Sequence, residues 1–274
     1  MADSPLPPVP PALTPVRNSP RRLATARTII ALILREMSTR YGRTPGGYLW
    51  TVLEPLAAIL FLSIGFSLMV RGPSLGNSFI LFYATGYMPF EIYMSLSRTC
   101  RQAISFSRPL LRYPAVTWVD AMLARLFLNG LTGVFNTFLL LGGILIIVET
   151  QTILDPVPIF FALSLAILLG LGVGSVNAVL TAFFPIWGIV WNVVNRPLFI
   201  ASGIFYLYDE MPRFAQDILW YNPLIHIVGL MRKGFYASYA APYVSEIYVL
   251  SIGLGLTAFG FLLLARFNRE ILNR

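Results

Sequence analysis

Three ionisable side chains stand within long apolar runs or beside them as candidates for chemistry, Glu54, Arg196 and His226, while Glu91 lies in the second span and Asp120 and Arg125 in the first turns of the third. A charge left unpaired in hydrocarbon is costly, so each needs a partner, a wet cavity or a route to water. Glu54 precedes Pro55, whose missing N–H frees a backbone carbonyl one turn earlier. Its carboxylate either faces a partner or cavity, or snorkels to the interface from about two turns inside its helix. Arg196, before Pro197, either grips a phosphate or carboxylate of a ligand or pairs with Glu54 or Glu91. His226, in PLIHIVGL, has no acid within a helical turn and is expected to hydrogen-bond locally rather than catalyse.

Enzymatic machinery is hard to assemble from what remains. His226 is the only histidine and Cys100 the only cysteine, which excludes an intramolecular disulfide, a cysteine metal cluster and a histidine-rich metal site. A Ser-His-Asp site elsewhere in the chain is excluded too, so no catalytic residue and no metal ligand is expected. No GxxxxGK[ST] phosphate loop occurs, and the single lysine, Lys233, sits in LMRKGF. Transport driven by ATP therefore requires the nucleotide on another chain.

Aromatic residues make up 14% of the sequence. Rings with polar edges stack on the apolar faces of sugars, so a pore lined by Trp50, Tyr87, Phe90, Tyr93, Trp187 and Trp191 would let a glycan slide without trapping it. Such rings also pack helices together or form interface belts, for which Tyr206, Tyr208, Trp220 and Tyr221 are well placed.

The elements that must position these groups are membrane helices. With 57% hydrophobic and 12% charged residues, the chain lies far from soluble composition, and its apolar runs are continuous and too long for the strands of a β-barrel. The reading is an all-α membrane protein with six transmembrane helices, at about 48–70, 78–96, 118–148, 157–181, 187–208 and 245–265. Residues 1–20 form a proline-rich tail expected to be disordered, and 21–44 an amphipathic interface helix. Its apolar face holds Ile29, Ile30, Ile33, Leu34 and Met37, with Leu32 on the wrong side. Residues 45–274 make up the transmembrane domain. In the fourth span, LLGLGVGSVNAVL supplies small residues for close helix packing. Residues 209–244 contain two amphipathic pieces, MPRFAQDILW and LIHIVGLMRKGF, separated by Tyr221, Asn222 and Pro223; they read as two short re-entrant helices, or else as a cap on the outer surface.

The net charge of +8 bears on sidedness rather than on nucleic acid. Fourteen bases lie before the first span, between spans two and three, and after the last, against four on the other side, Arg71, Arg213, Arg232 and Lys233. Both termini are thus expected to be cytoplasmic, and no cleavable signal peptide is expected. The basic connector after span two either sets topology as a solvated loop or docks into a partner.

Three motifs identify a resemblance. RYGRTPGGYLWTVLEPL (Arg40 to Leu56), LWYNPLIHIVGLMRKGF (Leu219 to Phe235) and, less specifically, LLRYPAVTWVDAMLAR (Leu110 to Arg125) resemble the membrane-spanning subunit of type-2 ABC exporters of capsular polysaccharide in Gram-negative bacteria. The resemblance implies a permease of the bacterial inner membrane, not itself an enzyme, that pairs as a homodimer with two copies of a separate ATPase carrying ATP and Mg. Lipid-linked polysaccharide would pass between protomers, with a periplasmic co-polymerase and an outer-membrane channel continuing the path. On that reading Arg27, Arg35, Arg101, Arg108, Arg112 and Tyr113 couple to the ATPase, which turns the connector into a docking element. Arg40, Arg43, Arg98 and Arg196 hold the anionic glycolipid or linker, and Trp220, Asn222, Pro223 and His226 belong to an outer gate. A sibling exporter of O-antigen or teichoic-acid type is the nearest alternative. An integral-membrane enzyme acting on lipid-linked sugars, and a passive channel, are alternatives from other classes.

Overall fold

Capping residues set most of the helix boundaries. Ser78 accepts from Leu81 N (3.4 Å) ahead of one helix, and Thr117 forms a reciprocal capping box with Asp120 ahead of another. Asp155 with Pro156, and Asn222 with Pro223, start two more. Each pairing satisfies N–H groups that a helix start leaves free. Asp120 is therefore explained as a cap. The computed structural model describes residues 24–41, 46–111, 116–148 and 154–273. Among these, the α-helices are α1 (Ala24–Tyr41), α2 (Leu49–Ser67), α3 (Phe79–Arg101), α4 (Ala103–Leu111), α5 (Trp118–Ile147), α6 (Pro156–Phe183), α7 (Trp187–Ala201), α8 (Arg213–Leu219), α9 (Pro223–Phe235) and α10 (Glu246–Asn273). The proline-rich tail, Arg43, Arg112, Tyr113 and the side chain of Arg40 lie outside the described residues.

Among the described residues, four helices are long and apolar enough to cross a membrane: α2, α5, α6 and α10. The second expected span, α3, is ~34 Å long at ~1.5 Å per residue, yet it carries Glu91, Arg98 and Arg101. The fifth is shorter than the 187–208 reading. As a helix α7 covers only ~22 Å, because the chain turns at Gly203, where φ is +79°. Beyond it Ser202, Ile204 and Leu207 are buried in non-helical backbone. The connector between spans two and three is helical as α4, set off from α3 at Gln102.

The spine of the bundle is α6, which packs against α3, α9 and α10. Its most apolar stretch is 61% buried, whereas that of α2 is 11% buried. The small residues of LLGLGVGSVNAVL explain the difference. A Cβ at Gly170 would stand 2.8 Å from Leu96 Cβ, and one at Gly174 would stand 2.6 Å from Cys100 Cβ. Only glycine lets α3 come this close, and close approach is what packs helices where lipid is as apolar as their side chains.

The face of α1 differs from the sequence reading. Leu32 is buried together with Glu36, one turn on, while Ile30 and Leu34 are 56% and 60% exposed. The stripe that packs on protein thus centres on Leu32 and Glu36, and the more apolar flank stays exposed. Periodicity alone cannot make this distinction, because both solvents of a membrane-surface helix accept leucine.

Candidate functional site

Three helices bring the polar groups of the first spans together. Thr51 and Glu54 of α2, Glu91 and Arg98 of α3, and Asn129 and Asn136 of α5 line an open cavity of about 90 Å³. It has room for several waters. Asn136 Nδ2 donates to Thr51 O at 2.8 Å. That is the carbonyl Pro55 leaves free, so the proline that breaks the helix ladder recruits α5 to repair it. Tyr87 Oη donates to Glu91 Oε2 at 3.3 Å. Glu54 therefore lines a polar cavity and shares it with a second carboxylate and with Arg98. Arg196 is not its partner: it is exposed on α7, and no ion pair is found for it among the described residues.

Directly beside this cavity lies a buried latch. Arg125 of α5 pairs with Glu36 of α1 (Nε to Oε2 3.3 Å), both side chains being less than a tenth exposed. Arg125 Nη1 also donates to Thr99 O near the end of α3, and its guanidinium lies 4.7 Å from the ring centroid of Phe106 on α4. Arg35 covers the same ring at 5.3 Å. One side chain thus touches the interface helix, the connector and the end of α3. Thr99 and Asn129, which line the cavity, bond Arg125 or its backbone. The remaining residues expected to couple to an ATPase divide: Arg27 is exposed, whereas Arg101 Nη1 donates to Gly188 O (3.3 Å) and Arg108 to Leu272 O (3.0 and 3.2 Å).

A second buried arginine occupies the opposite end. Arg232, one of the four bases expected on the side opposite the termini, is 2% exposed and bonds Ile204 O and Tyr206 O, each at 2.9 Å. Its guanidinium lies 4.1 Å from the centroid of Phe82 on α3. The reason is the non-helical stretch after α7. Carbonyls released from a helix inside a membrane protein need internal donors, and Arg232 supplies them. Next to it, Asn222 caps α9 (3.1 Å to Leu224 N) and reaches Ala201 O with its amide nitrogen (2.9 Å). His226 accepts from Ser245 N at Nδ1 (3.2 Å), which leaves Nε2 to donate to Trp220 O (2.7 Å). The expected gate residues Trp220, Asn222, Pro223 and His226 therefore meet, tying α7, α8, α9 and the start of α10.

The aromatics part company. Phe90 and Tyr93 are 4% and 2% exposed, sealed inside the protomer against α6 and α7 neighbours. Trp50 is exposed, Tyr87 is held by Glu91, and Trp187 stacks on Trp191 (6.2 Å between centroids) while bonding Asn177 Oδ1 at 2.7 Å. Sequence alone gives Glu36 no role, places Arg125 at a span edge and counts Arg232 only toward sidedness. The signal available for Arg232 was the apolar company it keeps in LIHIVGLMRKGF.

The chain belongs to the ABC-2 type transporter family, which it matches over residues 27–236. It is 33% identical over 238 residues to the polysialic acid transport protein KpsM of Escherichia coli, covering 84% of this chain and 92% of that one. It is 25% identical over 249 residues to the capsule polysaccharide export inner-membrane protein CtrC of Neisseria meningitidis serogroup A, covering 91% and 94%. To BexB of Haemophilus influenzae, which carries the same description, it is 26% identical over 248 residues, covering 89% and 92%. The chain is a transport permease of the inner membrane.

Proposed function

We propose that this chain is the permease subunit of an ATP-driven exporter that carries lipid-linked capsular polysaccharide from cytoplasm to periplasm. The observation that carries the reading is the likeness to capsule exporters along more than nine-tenths of their length. The protein acts as a homodimer with two copies of a separate ATPase, which binds ATP and Mg, and both termini face the cytoplasm. The exposed apolar faces of α2 (Phe61, Ile64) and α7 (Ile189, Val193, Ile200) support a channel built between two copies. Trp50, Tyr87, Trp187 and Trp191 stay candidates for its wall, whereas Phe90 and Tyr93 pack within one protomer.

Closure of the ATPase dimer pushes α1 and α4. Because Arg125 holds both against α3 and α5, the push reaches the cavity that contains Arg98, Glu54 and Glu91. Arg98 there and Arg196 on α7 hold the anionic end of the glycolipid, and the gate around His226 opens outward. A periplasmic co-polymerase and an outer-membrane channel receive the polymer.

The test is complementation of a strain lacking this gene, read as polysaccharide at the cell surface together with recovery of the ATPase on the tagged permease. Arg98→Ala and Arg196→Ala should each cut surface polysaccharide to about a tenth while the ATPase still co-purifies, since each removes a charge-assisted contact. Undiminished export by both variants removes the anion-holding role. A tagged permease that brings down no ATP-hydrolysing chain removes the transporter reading altogether.

A further inference from the structure

A second cleft, of about 370 Å³, opens where the end of α3, the connector α4, the end of α6 and the end of α10 converge. Its polar wall carries Arg101, Arg108, Ser105 and Thr181; its apolar wall includes Phe183 and Ile271. Neither arginine pairs with an acid among the described residues. Each bonds a backbone carbonyl, of Gly188 or Leu272, with two N–H donors at most, and a guanidinium has five. Arg98 adds to the positive field at Arg101. Thr181 Oγ1 is buried and has no hydrogen-bond partner among the described residues. The cleft therefore presents unspent donors and positive charge on one side and hydrocarbon on the other.

Pro185 closes the apolar side, and its neighbours Phe184 and Ile186 are 60% and 68% exposed, so the cleft opens onto an apolar lip. An anion with no hydrocarbon attached would leave that lip unmatched, and an apolar chain would leave the guanidiniums unmatched. The geometry points to a binding site for an anionic phospholipid of the cytoplasmic leaflet, its phosphate on Arg101 and Arg108 and an acyl chain against Phe183 and the Phe184–Ile186 lip. The lipid would brace the connector against α6 and α10. The assignment to the cytoplasmic leaflet rests on the orientation proposed above; the chemistry of the cleft does not.

Native mass spectrometry of the full-length permease, released from detergent with phosphatidylglycerol, phosphatidylcholine or inorganic phosphate, tests this directly. Retention of phosphatidylglycerol over phosphatidylcholine is expected, with about a tenfold weaker retention in the double variant Arg101→Gln, Arg108→Gln. Because Arg108 also caps α10, Ser105→Glu is the second variant. It leaves both arginines and their carbonyl bonds in place, adds a negative charge at the mouth, and should weaken retention similarly. Equal retention of the two lipids, retention unchanged by Ser105→Glu, or displacement of the lipid by millimolar phosphate would each overturn the site. Loss of the ATPase partner from these variants with lipid retention intact would likewise overturn it, and assign the arginines to protein docking. None of these readouts depends on which glycan is exported.

Discussion

Arg125 and Arg232 are both buried, both lie over a phenylalanine ring, and both bond backbone carbonyls, yet they are balanced in different ways. Arg125 has a carboxylate, Glu36, brought from a separate surface helix. Arg232 has none within salt-bridge reach among the described residues; it is surrounded by Tyr83, Tyr236, Tyr239 and Tyr243 and answers the carbonyls of a broken helix. A charge pair between two elements transmits displacement of either one, because separating it exposes an unpaired charge in a poor solvent. A guanidinium that replaces missing helix hydrogen bonds holds one shape instead. Displacement of α1 is thus coupled through Arg125 to α3, α4 and α5, whereas Arg232 fixes the shape of the chain after α7.

The largest effect should come from Arg125→Ala, which strands Glu36: a loss of about 3–5 kcal/mol in unfolding free energy, measured by denaturation in detergent micelles. If Arg125 serves as a latch, the double variant Arg125→Met, Glu36→Leu should recover most of that stability and still fail to export. Recovery of export along with stability would reduce the pair to a packing device. Arg232→Ala comes next, at about 2–4 kcal/mol, since it orphans two carbonyls and has no carboxylate whose removal can compensate. A second-site rescue of Arg232→Ala by neutralising any single acid would erase the contrast. His226→Ala is expected to cost about 1–2 kcal/mol and to free α9 from the start of α10, read as faster proteolysis between α8 and α10. Smallest of all, Arg27→Ala should leave stability within about 0.5 kcal/mol, because its side chain is exposed. If it nonetheless weakens recovery of the ATPase, α1 is a docking surface.

The contrast also explains which parts could be read from the chain. The capping residues Ser78, Thr117, Asp155 and Asn222 and the adjacent prolines set element starts by local chemistry, and the glycines of α6 announce close packing without saying against what. Pro55 declared a free carbonyl, but not that Asn136, far along the chain, would meet it. The aromatic set illustrates the limit: Tyr93 and Trp50 are equally able to stack on a sugar, and only the position of α6 seals one and leaves the other exposed.

Composition by itself determined a multi-helix membrane protein, because solvent matching in a bilayer is read residue by residue. Tertiary structure alone decided which charges meet. Leu32 rather than Ile30 faces protein, Glu36 finds Arg125, and Arg232 is buried in the interior against Ile204 and Tyr206 carbonyls. The physical reason is that a buried charge is stabilised only by groups within a few ångströms, and helix packing sets those distances across separations of tens of residues that no local pattern encodes.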